Sequence, residues 1–95
     1  MPKAYWIAHV TVTDPEAYAG YQKHAPAAFA RFGARFLARG GEAETCEGPA
    51  LNRHVVIEFD SLEDARACYH SDEYQQAKAQ RIGACEAHVT LVEGL

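Results

Sequence analysis

Four strands in one antiparallel sheet, with helices gathered on a single face, are written into this chain as an α+β pattern. Three observations carry that reading. Four segments alternate apolar and polar residues with the two-residue period of a strand. Two intervening stretches repeat apolar residues at three- and four-residue steps. The order is strand, helix, strand, strand, helix, strand. A helix on each crossover and a hairpin in the middle describe a split βαβ arrangement, the ferredoxin-like plait, and right-handed crossovers put both helices on the same side of the sheet.

The first strand spans 4–12, from its alternation and β-branched residues. Asp14 then caps a helix and Pro15 takes its first position, where no amide hydrogen is needed. Tyr18, Tyr21, Ala25, Ala28, Phe29 and Phe32 form its apolar stripe. Pro26 interrupts that stripe, which predicts a kink near 24–26 or two short helices in series. Gly33 is the stop. The second strand begins at Ala34. Gly40-Gly41 reads either as a tight hairpin turn or as a bulge in one long bent strand running to about Glu47; the bulge is preferred because Gly48-Pro49-Ala50-Leu51-Asn52 makes a better hairpin loop. The third strand covers 53–59. Ser61 opens a helix to about Tyr69, with Leu62, Ala65, Cys68 and Tyr69 inward. Ser71 caps a second, from Asp72 to about Arg81. Gly83 ends it, and the last strand covers 87–93.

At 95 residues the chain makes one domain, 1–95, with a modest core. The hydrophobic fraction of 48% places it among globular proteins, and a formal charge of -4 gives no general attraction to nucleic acid or anionic membranes. No apolar run approaches the ~20 residues of a membrane span, and the first residues lack the pattern of a signal peptide. Cys46, Cys68 and Cys85 are odd in number and widely spaced, without a C-x-x-C pair, so they read as free thiols of a cytoplasmic protein. No phosphate loop, nucleophile elbow, metal-helix motif or basic stripe is present.

Alternation sorts the strand residues into two faces. Ala4, Trp6, Ala8, Val10, Ala34, Phe36, Ala38, Val55, Ile57, Phe59, Val89 and Leu91 make an apolar face for the helices. The other face mixes Tyr5, Ile7, Leu37, Val56 and Val92 with His9, Arg39, His54, Glu58 and His88. Left bare, it would be an exposed apolar patch. A second copy packed face to face is the simplest cover, giving a homodimer whose two sheets form an α/β barrel.

The segments AYWIAHVTVTDPEAYAGY, RFLARGG, VVIEFDSLEDARACYHSDEYQQAKAQRIGACEA and the terminal VEG resemble the family called domain of unknown function 1330. The similarity runs over essentially the whole chain. It implies the dimeric α/β-barrel superfamily, which also holds cofactor-free monooxygenases of polycyclic aromatics, a lactone isomerase and haem-handling enzymes. The family has no agreed activity. Its recurrent blocks fall here on Arg39, Gly40, Gly41, Glu58, Phe59, Tyr69, Ser71, Tyr74 and Arg81.

The leading functional expectation is a small apolar or aromatic ligand, with or without a carboxylate, held in a cavity on the mixed sheet face. His9 and Glu58 are the candidate bases for proton transfer or cofactor-free oxygenation: imidazole titrates near neutrality, and burial can tune a glutamate upward. Arg39, with its forked donors, is the candidate for a substrate carboxylate, against an ion pair with Glu58. Tyr69, Tyr74 and Arg81 come from the corner between the last two helices and are carried as binding candidates, Arg81 being the odd charge on an otherwise packing stripe. His24 comes near a pocket only if Pro26 opens one. A metal is not expected: His54 and Glu58 lie four strand positions apart, roughly 13 Å, and a site would need His9 and His88 brought together from neighbouring strands. No cofactor is assigned. The alternatives are a non-enzymatic dimer whose mixed face is filled by the partner and, more remotely, haem held by His9 or His88.

Overall fold

The computed structural model describes residues 2–95. Its elements are β1 (Ala4–Val12), α1 (Pro15–Arg31), β2 (Arg35–Arg39), β3 (Arg53–Phe59), α2 (Leu62–His70), α3 (Asp72–Ala79) and β4 (Cys85–Glu93). The strands lie in the order β2-β3-β1-β4, all neighbours antiparallel. This is the ferredoxin-like plait expected from the element order. Its extent along the thinnest axis is 17 Å, as two layers require.

Trp6 lies at the centre of the layer between sheet and helices. Its ring sits 4.9 Å from those of Phe29 and Tyr74 and 5.5 Å from Tyr69, edge-on or tilted. Ala4, Ala8, Ile57, Phe59, Ala65, Cys68 and Ala77 close the core around it. Local signals set the helix starts. Asp14 accepts from the Ala17 amide, Ser61 from Asp64, and Ser71 from Tyr74. Ser71 also donates to the Cys68 carbonyl, so one hydroxyl ends α2 and starts α3.

Three expectations are corrected. First, α1 runs unbroken through Pro26, not as two helices. Proline still has no amide hydrogen for the Gln22 carbonyl one turn back. Second, β2 stops at Arg39 and 40–52 carries no strand, so there is neither a long strand to Glu47 nor a bulge at Gly40-Gly41. The bulge lies earlier: the register steps from Phe36↔Ile57 to Ala38↔Val56, leaving Leu37 as the extra residue. Gly40, at φ 71°, turns the chain out of the sheet, its amide bonded to the His54 carbonyl. Third, α3 ends at Ala79 and β4 begins at Cys85, two residues to the early side in each case.

Candidate functional site

Besides a cleft over His9, His54 and His88 on the mixed face, the described residues form a cavity on the helix side of the sheet. This cavity, of about 110 Å³, lies between the layers, walled by Trp6, Ala8, Val55, Ile57 and Val89 from the sheet and by Tyr18, Tyr21, Ala25 and Phe29 from α1. Pro26 and Gln22, the pair whose helical hydrogen bond is missing, lie side by side on its wall. Its charged lining consists of Arg39, Arg53 and Arg81, with no aspartate, glutamate or histidine.

Each arginine arrives by a different route. Arg39 is brought in by the bulge. Strict alternation would put it on the outer face opposite His54, but the extra residue at Leu37 reverses the sense of the strand. Arg39 therefore pairs with Val55 on the helix side, and its guanidinium lies 4.3 Å from the centre of the Phe36 ring. Arg53 shares the inward phase of Val55, Ile57 and Phe59 and packs against Gly40; a methyl group on Gly40 would come within 2.9 Å of the Arg53 Cζ. Arg81 leaves the turn after α3. It donates through Nη2 to the Tyr74 hydroxyl at 3.3 Å and lies 5.0 Å over the Tyr21 ring.

Among the described residues none of these three arginines forms an ion pair with a carboxylate. The tyrosines complete the polar side. The hydroxyls of Tyr21 and Tyr74 are 3.0 Å apart. Burial raises the pKa of Tyr18 and Tyr21, so both stay protonated as hydrogen-bond donors and are not bases at neutral pH.

The sequence-derived candidates divide. Arg39 and Arg81 line the cavity, Arg39 on the face opposite to the one expected. Tyr74 is fully buried behind it and orients Arg81; Tyr69 packs on Trp6 and accepts from the Lys78 ammonium at 3.1 Å. Glu58 is on the outer face, paired with Arg35 at 2.9 Å and not with Arg39 or Arg81. His9 is also on the outer face, its Nδ1 2.8 Å from that of His54. Neither His9 nor Glu58 reaches the cavity, and His24 is exposed and stays outside it. Arg53, Tyr18 and Tyr21 escape a reading for chemistry. Arg53 stands in phase with the core residues of its strand, an inward charge in an apolar series, and that is the signal that marks it.

The three thiols are free; Cys46 is exposed, while burial pushes Cys68 up to about 12 and leaves it inert. Among the described residues no helix is long and apolar enough to cross a membrane.

Comparison with solved structures places the fold among proteins of low sequence identity. A protein of unknown function from Rhodopseudomonas palustris is 18% identical, with 99% of this chain and 83% of that one covered and a TM-score of 0.80. A dimeric protein of unknown function and ferredoxin-like fold from Bacteroides fragilis is 15% identical, with coverage of 96% and 95% and a TM-score of 0.65. SnoaB, a cofactor-independent oxygenase from Streptomyces nogalater, is 13% identical, with coverage of 96% and 91% and a TM-score of 0.62. No curated protein matches the sequence. The model of the domain of unknown function DUF1330 matches residues 3–95, and the chain, with its two-layer plait, belongs to that family.

Proposed function

We propose that the chain binds a small carboxylate with a single aromatic or aliphatic ring in the cavity between sheet and helices. The observation that carries this is the lining: three arginines with no carboxylate partner among the described residues, on an apolar cavity that holds no acidic group. Cations beside a poorly solvated cavity favour an anion there, and guanidinium matches a carboxylate in two-pronged geometry. Size selects the rest of the ligand. A dry protein cavity of about 150 Å³ takes benzene. The present cavity, at about 110 Å³, is of that order, which matches one ring with its carboxylate held by the arginines of the lining. Fused rings and a haem macrocycle do not fit. The lining contains no side chain that accepts a proton at neutral pH, so recognition, and not proton abstraction by His9 or Glu58, is what this geometry supports.

Calorimetry with benzoate, cyclohexanecarboxylate and the neutral benzamide tests the reading. Benzoate should bind at least about tenfold more tightly than benzamide, and Arg81→Gln and Arg39→Gln should each remove about tenfold, the scale of a charge-assisted hydrogen bond. Equal binding of benzoate and benzamide would overturn it.

We also propose that a second copy covers the end of the outer face that carries Ile7, Val56 and Val92, leaving the end with His9, His54 and His88 open. Ile7, Val56 and Val92 share that face and Leu37 stands 56% exposed on its bulge; the similar Bacteroides fragilis protein is dimeric. Sedimentation should show a dimer; a stable monomer at micromolar concentration would refute this.

A further inference from the structure

The outer face holds a second arrangement. His9 is in register with His54 on β3 and with His88 on β4, so three histidines from three adjacent strands form one row across the sheet. Residues directly opposite on antiparallel strands have Cβ atoms about 5 Å apart, within reach of a common ion for imidazole side chains. The row lines an open cleft of about 550 Å³ together with the loop that carries Glu44, Cys46 and Glu47.

The row is already partly assembled. The Nδ1 atoms of His9 and His54 are 2.8 Å apart, with the rings 5.0 Å between centroids and 70° between planes. One of the two must donate a hydrogen and the other accept, so two ring nitrogens are turned toward one point. His88 is turned aside, its Nε2 3.0 Å from Glu86 in an exposed contact. No three ligating side chains are gathered around one point among the described residues. The missing step is rotation of His88, which breaks only that surface contact, worth little. In the same movement a tautomer change at His9 or His54 frees the second Nδ1 lone pair.

We infer that this row is a site for a borderline-soft divalent transition ion such as Zn²⁺, held by the imidazoles of His9, His54 and His88 with water in the open position. Three imidazoles and an open coordination position suit Zn²⁺, Cu²⁺ and Ni²⁺ better than Mg²⁺ or Ca²⁺, which prefer oxygen. The site lies on the opposite side of the sheet from the arginine-lined cavity and does not depend on it.

Titration of chelator-treated protein with Zn²⁺ in a calorimeter should show one ion per chain, and Co²⁺ substitution should give the visible absorption of a four-coordinate nitrogen site. His9→Gln, His54→Gln and His88→Gln should each weaken binding by more than the roughly tenfold that loss of even an outer partner of a metal site costs. His24→Gln and His70→Gln, away from the row, should leave it unchanged. Cys46→Ser should leave affinity within about twofold; a larger loss would overturn the all-imidazole ligand set. Binding weaker than about 1 mM, or affinity indifferent to the three row variants, would overturn the site itself. Circular dichroism on each variant separates a lost ligand from a lost fold.

Discussion

Gly40→Ala separates the backbone's share of the cavity from the side chain's. At φ 71° any residue with a Cβ is strained, by about 1–2 kcal/mol. The added methyl would also meet the Arg53 guanidinium, with Cζ at 2.9 Å. That guanidinium is the far end of a flexible side chain, so it gives way at small cost in stability but leaves its place on the cavity wall. Gly33 supplies the control: its φ is 70°, and a Cβ there has nothing within 4 Å. Gly33→Ala and Gly40→Ala should therefore lose similar stability, about 1–2 kcal/mol, or a melting temperature lower by roughly 5–15 °C in a domain of this size. Only Gly40→Ala should weaken benzoate binding, by about the tenfold that one charge-assisted contact is worth. Differential scanning fluorimetry and calorimetry read the two quantities separately. Unchanged benzoate affinity in Gly40→Ala would refute the placing of Arg53 by Gly40. A stability loss several kcal/mol beyond that of Gly33→Ala would show that Arg53 cannot move aside.

Tyr74→Phe should cost about 1–3 kcal/mol in urea denaturation, because the half-buried Tyr21 hydroxyl loses its partner and Arg81 keeps only its hydrogen-bond contact with Cys85 Sγ; an unchanged midpoint would mean that only the ring matters. Asp60 is held below the ordinary carboxylate range by hydrogen bonds from Lys3 and then Arg35. Its contribution is complete above the unfolded value near pH ~4 and is lost as pH falls through the lower folded value. Acid titration of Asp60→Asn should accordingly show a shallower fall in stability below about pH 4. Iodoacetamide at about pH 8 should label the exposed Cys46 and spare Cys68, whose thiol is pushed up to about 12 by burial; mass spectrometry after brief exposure distinguishes the two.

How far the sequence foretells this structure depends on what each residue's neighbours are. β1 and β3 have the expected limits because both are central strands whose alternating residues are buried on one side; one slip would expose the whole apolar set. The three caps are local and equally legible. The segment 40–52 is not, since a strand reading of Glu42 to Glu47 has no partner strand to support it. The bulge at Leu37 is hidden more deeply. Arg-Phe-Leu-Ala-Arg fits a regular strand as well as a bulged one, and only pairing with Ile57 and Val56 shows which residue is extra. From that one ambiguity comes the placing of Arg39 on the outer face with His9 and Glu58, where the pairing puts it on the helix side. Arg81 is legible as a charge on a packing stripe. That the three histidines share one face is legible in the sequence; that they stand in one row is not, because the row rests on the mutual register of three strands.

Strand pairing, as well as residue identity, decides which side of the sheet Arg39 faces. An arginine in the RFLARGG segment of another family member can align with Arg39 letter for letter and still point the opposite way, if that member pairs the segment as a regular strand without the bulge. Matching positions in an alignment would then equate a cavity wall with an outer surface. A single-residue deletion at Leu37 should leave Arg39 opposite Val55 on the helix side, because Ala38 and Arg39 then continue the alternation of Arg35 and Phe36 as a regular strand. For this family, transfer of a functional role between members calls for a count of strand residues against their pairing partners before any comparison of letters.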